Sequence, residues 1–159
     1  MNRTSKIAVI FALAFGTFFV TVPNAEAAPT LRSAAMASAD SQKGAHYAWG
    51  KAGPYSVGYD CSGLTYWAYR QHHKTIPRVA QDQYNHSHHV AVKNRKPGDL
   101  IFIQDRYNHV YHVGIFTGVR GGRGYMINAN TGSYRGRKVV EAPVDEYTAG
   151  SPHAVYGQY

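Results

Sequence analysis

Apolar positions along this chain fall into three regimes. Residues 7–22 are almost wholly apolar. From residue 31 to about residue 84 the apolar positions recur at helical spacing, and from residue 100 onward they form short runs and alternations typical of strands. In the helical part, Leu31, Ala34, Ala35 and Ala39 predict a helix over 31–43, ended by Gly44. Residues 45–59 read as a glycine-rich loop carrying tyrosines and Trp49. A second helix over 61–73 places Cys61, Leu64, Ala68 and Gln71 on one stripe with Trp67 beside it, and Pro77 forces a break. A short helix over 79–84 and a loop or weak strand over 86–95 follow.

Pro97-Gly98-Asp99 is a turn signal. The unbroken apolar run 100–103 predicts a central strand covered on both faces, with a second strand over 111–118, a turn over 119–124 and a third strand over 125–129. Residues 138–142 and 154–158 supply two more. Helices first and strands afterwards indicate an α+β domain built on an antiparallel sheet.

The first apolar run has another meaning. Arg3 and Lys6 precede it, Pro23 breaks it, and Ala25-Glu26-Ala27 follows, the pattern of a secretory signal peptide cleaved after Ala27. Its 16 residues fall short of the roughly 20 needed to span a bilayer, so no membrane span is expected once it is removed. The expected product is secreted or held at the cell wall. Residues 28–159 make 132 residues, enough for one domain with a real core, expected to be a monomer.

The formal net charge is +8, and removing Arg3, Lys6 and Glu26 leaves +7. A basic exported protein favours polyanionic surfaces such as teichoic acids and other anionic wall polymers. The charges are scattered, however, with Arg135-Gly136-Arg137-Lys138 the densest cluster, which also fits an ordinary solvated surface. No specific nucleic-acid partner is indicated.

Cys61 is the only cysteine, so no internal disulfide is possible, and a free thiol in an exported protein is either used or buried. Glycines and a proline precede it and a helix follows. At a helix start, unpaired N–H groups and the dipole favour the thiolate, and Asp60 or Ser62 can cap the exposed donors. A small buried hydrophobe is the competing reading.

A thiolate needs a base, and nine histidines compete. His72 and His73 end a helix, His86, His88 and His89 lie in a polar stretch, and His46 and His153 flank loops. His109 and His112 open the second strand. Strand alternation puts His112, Gly114 and Phe116 on one face, among core-forming neighbours. A half-buried histidine bonded to backbone fits equally well.

Two histidine clusters offer at most paired metal ligands, and no His-Glu-x-x-His pattern is present, so neither a metal nor another cofactor is expected. In the predicted hairpin an even index sum puts Asn128 on the face of His112. A sum of 240 sets the two opposite, and 242 sets Asn128 opposite Gly114. Either way the amide can orient the imidazole, completing a nucleophile, a base and an orienter.

Four blocks in order then resemble the NlpC family of cell-wall cysteine peptidases, a papain-like group: Tyr47-Ala48-Trp49-Gly50, Asp60-Cys61-Ser62-Gly63-Leu64, Pro97-Gly98-Asp99-Leu100 and His112-Val113-Gly114-Ile115. Ile76-Pro77-Arg78 with Gln81 and Gln83 resembles a fifth. The resemblance implies a helix carrying the cysteine packed on an antiparallel sheet carrying the histidine. It implies Cys61 as nucleophile, His112 as base and Asn128 at the third polar position, where the family often has histidine. Tyr47 would lie beside the thiol and help hold the substrate or the oxyanion. Asp60 and Ser62 would contact the peptide stem of peptidoglycan, in some members its free amine. The bond implied is that between D-glutamate and the diamino acid.

The chain departs from the family pattern at Lys51, where a second glycine is usual, and in the longer polar segment 105–111. Other expectations for the same Cys/His site are an amidase or an acyltransferase, and the non-enzymatic one is a basic wall-binding protein.

Overall fold

A computed structural model describes residues 29–132, 135–150 and 152–159. The leader expected over residues 1–27 lies outside the described residues. Three helices precede the sheet: α1 (Leu31–Asp40), α2 (Cys61–Arg70) and α3 (Ala80–His86). The strands are β1 (His88–Val90), β2 (Leu100–Gln104), β3 (Val110–Arg120), β4 (Arg123–Ala129), β5 (Val139–Pro143) and β6 (His153–Gln158). They form one antiparallel sheet in the order β1-β6-β2-β3-β4-β5. The last strand of the chain thus pairs between β1 and β2. Among the described residues no helix is long and apolar enough to cross a membrane.

Two of the helices, α1 and α2, start at residues whose side chains cap them. The Thr30 side chain accepts from Ser33 N–H at the head of α1, and the Asp60 side chain accepts from Gly63 N–H at the head of α2. Both helices end earlier than expected. Gln71 is the cap of α2 rather than part of its stripe, and the side chains buried beside Leu64 and Ala68 are Thr65 and Tyr69. The turn expected over 119–124 contracts to Gly121-Gly122, because both glycines take positive φ and let β3 and β4 pair to Arg120–Arg123.

The sheet has a core on each face. On one, Ala35 and Ala39 of α1 and Leu64, Ala68 and Tyr69 of α2 pack on Leu100, Phe102, Val113, Ile115 and Ile127. On the other, Ile101, Ile103, Phe116, Met126, Val144 and Tyr156 form a smaller cluster. The Arg95 guanidinium covers that cluster, 5.3 Å from the Phe116 ring centroid and 5.5 Å from that of Tyr156. β2 contributes alternate residues to both cores, which is why its sequence reads as a continuous apolar run.

Buried polar side chains fasten the helices to the sheet. Asp99 is fully buried; its carboxylate pairs with Arg32 of α1 and accepts Lys96 N–H at 2.7 Å, closing the turn into β2. Gln83 of α3 is also fully buried. Its amide donates to Ser62 O (3.0 Å) and Pro77 O (2.8 Å), and its carbonyl accepts the Thr65 hydroxyl (2.7 Å). Gln81 accepts Val110 N–H at 2.8 Å. The short α3 therefore ties the first turn of α2 to the first residue of β3. Gln83→Leu, which strips three hydrogen bonds and leaves buried groups unpaired, is expected to cost about 2–4 kcal/mol in denaturant unfolding. A loss under about 0.5 kcal/mol would show that these bonds do not hold α3 in place.

Candidate active site

Cys61 is the first residue of α2, and its surroundings follow from how that helix begins. Asp60 Oδ1 accepts Gly63 N–H at 2.6 Å, leaving the N–H groups of Cys61 and Ser62 free of helical partners and acting on the Cys61 sulfur. Gly63 is required there: a Cβ would sit 2.0 Å from the Lys51 carbonyl oxygen, which the loop presses against the helix.

The thiol lies where two strands part. The β3–β4 ladder runs from Arg120–Arg123 back to Ile115–Ile127 and stops. Phe116 N–H points to the β2 side, bonding Asp99 O at 2.8 Å, so alternation points Val113 N–H toward β4. Beyond the last ladder pair, that N–H acts on the Cys61 sulfur and works against the rise of its pKa. The start of α2 thus occupies the fork between β3 and β4, one residue from His112.

His112 and Asn128 stand on the two sides of that fork. The ladder has the index sum 242 at Ile115–Ile127 and Phe116–Met126, so Asn128 continues opposite Gly114, and beyond a bulge at Thr117 the register shifts by one. A Cβ on Gly114 would lie 3.1 Å from Asn128 Cβ, which is why a glycine stands there. Asn128 Oδ1 accepts from His112 Nε2 at 3.0 Å. With its N–H at Nε2, the neutral ring carries its lone pair at Nδ1. One face of the imidazole stacks on Tyr147, centroids 5.1 Å apart and planes 6° from parallel. The Tyr147 hydroxyl in turn donates to Asn130 Oδ1 at 2.9 Å.

Burial dominates the electrostatics. It pushes the Cys61 thiol up, the charge of Asp60 adds to this, and the N–H groups of Val113, Ser62 and Cys61 oppose it. The helix start therefore moderates the thiol's acidity without lowering it below its ordinary value, contrary to the sequence-based expectation. Burial also pulls the His112 pKa down to about 4, against the Asn128 bond, which raises it. At neutral pH the resting pair is thiol and neutral imidazole.

Of the other expected site residues, Tyr47 is nearly buried and close enough to Cys61 and Asp60 that their charge adds to burial in keeping the phenol protonated. Asp60 and Ser62 are buried in a network with Arg78. His109 is outside the site: it is largely exposed in the loop before β3, its backbone N–H held by Asp105. Sequence reasoning assigned no role to Tyr147, Arg78 or Val113. Arg78 and Val113 had a signal, since both lie in blocks that resemble the family, and Tyr147 had none. Among the described residues no group of three or more His, Cys, Asp or Glu is placed to hold a metal ion.

A helix whose first residue is a cysteine, set into an antiparallel sheet beside a histidine, defines a papain-like α+β domain. The sequence model of the NlpC/P60 family matches residues 44–151, and the chain belongs to that family. It is 37% identical over 95 residues to the bifunctional muramidase/DL-endopeptidase CwlT of Bacillus subtilis, covering 60% of this chain and 28% of CwlT. It is 39% identical over 84 residues to a probable endopeptidase of Corynebacterium glutamicum, covering 52% of this chain and 39% of the relative. The chain thus spans well under half the length of these curated relatives. The structure of the peptidoglycan hydrolase RipB of Mycobacterium tuberculosis superposes with a TM-score of 0.64 at 29% identity, covering 80% of this chain and 64% of that one.

A buried neutral histidine makes stability depend on pH. The unfolded chain binds the His112 proton near pH 6.5 and the folded one only near 4, so its contribution is complete above 6.5 and is lost as pH falls. Unfolding free energy is expected to drop by about 3 kcal/mol between pH 7 and pH 4 from this group. His112→Gln should lose that much less over the same range, measured by urea unfolding. Equal losses in both proteins would mean that the ring is not held neutral.

Proposed function

We propose that this chain is an exported cysteine peptidase that hydrolyses peptidoglycan stem peptides at the bond between D-glutamate and the diamino acid. The observation that carries this reading is the placement of Cys61 in the fork whose two strands bear His112 and Asn128. The names of the relatives supply the substrate class.

In this reading Cys61 Sγ attacks the amide carbonyl carbon while its proton passes to His112 Nδ1. The neutral resting pair suits proton transfer coupled to attack. The N–H groups at the start of α2 and the protonated Tyr47 hydroxyl hold the oxyanion. His112 then gives the proton to the leaving amine, the thioester remains on Cys61, and Nδ1 activates the water that releases it. Asn128 keeps the N–H at Nε2 throughout, and Tyr147 holds the ring plane. Action outside the cytoplasmic membrane follows from the leader and the substrate.

The test is digestion of purified peptidoglycan with products identified by mass. Cys61→Ser is expected to abolish cleavage while the fold persists; retained cleavage overturns the mechanism, and products cut at the sugar–peptide linkage point to an amidase. His112→Ala is expected to lower kcat by roughly 10²–10⁴-fold, and His109→Ala to change it little. The reverse ranking identifies the wrong base.

Asn128→Ala is expected to cost about 10- to 100-fold. Asn128→Asp, placing a carboxylate on the ring, should move the acidic limb of the pH–rate profile upward. An unmoved limb removes Asn128 from the site.

A further inference from the structure

The polar chain behind His112 continues past Asn128, and the catalytic reading does not use its far end. Asn130 follows β4 and is buried. Its Nδ2 donates to Gly132 O at 3.0 Å and to Gly136 O at 2.8 Å. Its Oδ1 accepts Gly132 N–H at 3.2 Å and the Tyr147 hydroxyl at 2.9 Å. A backbone carbonyl can only accept and a backbone N–H can only donate. The loop after β4 therefore fixes which way the Asn130 amide faces, and the amide oxygen so presented makes Tyr147 a donor.

A hydroxyl whose proton is spent has only lone pairs left to offer. Asn128 acts on that same hydroxyl. Burial raises the Tyr147 pKa and the Asn128 side chain lowers it, which is the effect of an N–H donor on a phenol. Asn128 Nδ2 is buried and, among the described residues, makes no hydrogen bond of good geometry, so the contact is a loose one. Its sense still matters. Turned over, the amide would set its oxygen against a hydroxyl with no proton to give, and its N–H groups against His112 Nε2. That nitrogen would then need a lone pair, and the ring proton would move to Nδ1.

We propose that Asn130 and Tyr147 are positioning residues that set the tautomer of His112. The backbone of the loop after β4 orients the Asn130 amide, Asn130 takes the Tyr147 proton, and the Tyr147 lone pairs hold the Asn128 amide with its oxygen on Nε2. The ring proton stays at Nε2, and Nδ1 stays free. The consequence for turnover rests on the peptidase reading above, in which Nδ1 receives the thiol proton. The tautomer itself is read without substrate.

The test records ¹⁵N correlation spectra of the imidazole rings of the full chain at pH 7, with His112 assigned by its loss in His112→Gln. The wild-type ring is expected to carry its proton at Nε2 alone. Tyr147→Phe keeps the stacked ring and removes the hydroxyl, so both tautomers should appear. Its kcat should fall roughly 3- to 10-fold, the scale of one neutral hydrogen bond, with KM nearly unchanged. Asn130→Leu frees the Tyr147 proton to turn toward Asn128 Oδ1 and should favour the Nδ1–H form. Asn130→Asp still accepts from Tyr147 and should keep the wild-type tautomer, although it gives up the bonds to Gly132 O and Gly136 O. In Asn128→Asp both side-chain oxygens accept, so adding Tyr147→Phe should not move the ring proton.

A wild-type ring protonated at Nδ1 overturns the inference. So does an Nε2–H ring left unchanged by Tyr147→Phe, the variant that decides the matter where Asn130→Leu does not fold. A tautomer lost equally in Asn130→Asp and Asn130→Leu also overturns it, since that is the mark of a purely structural role. The expected tautomers in a wild-type protein that cleaves no stem peptide overturn the peptidase reading and support the inference.

Discussion

The site depends on a backbone donor that has lost its partner. β3 and β4 pair as far as Ile115–Ile127 and then separate, which leaves Val113 N–H facing the gap. A buried N–H without a strand partner favours negative charge nearby, and this one acts on the Cys61 sulfur, opposing the effect of burial. The start of α2 thereby meets β3 at the residue next to His112, whose ring bonds Asn128 of β4. The two glycines that flank this arrangement, Gly63 against the Lys51 carbonyl and Gly114 against β4, permit approaches that any side chain would block.

Desolvation governs the chemistry such a fork can support. Taking a thiol and an imidazole out of water favours the neutral form of each, and both shift that way here. The helix start, three N–H groups and the Asn128 bond work against that shift without reversing it. A neutral imidazole with its proton at Nε2 leaves Nδ1 as an acceptor. The Tyr147 ring keeps water from one face of the imidazole and fixes its plane.

The polar residues that hold the frame are almost all satisfied. Gln83 binds the first turn of α2 to the loop before α3, Gln81 binds α3 to the head of β3, and Asp99 binds α1 to the turn before β2. The two glutamines act on the elements that bear Cys61 and His112. Asp60 belongs to the same frame through its cap and its pair with Arg78, so one carboxylate both begins the helix and anchors the loop before α3.

Local chemistry in the sequence determined a good deal. The helix starts follow from caps, the central strand from an apolar run covered on both faces, and the candidate pair from a lone cysteine at a helix start and a histidine on a strand. Strand alternation, a local rule, put Asn128 on the face of His112 for any even register, and the register itself came from the fold.

What the tertiary structure decided is everything that depends on distance across the fold. The sequence could not show that β6 enters between β1 and β2, that β3 and β4 part before Val113, that Tyr147 returns after β5 to stack on His112, or that Arg78 reaches back to Asp60. Nor could it give the sign of the thiol's shift. A helix start argues for acidity, but burial by neighbours from β3 and the loop outweighs it, and burial is a property of the packed chain alone.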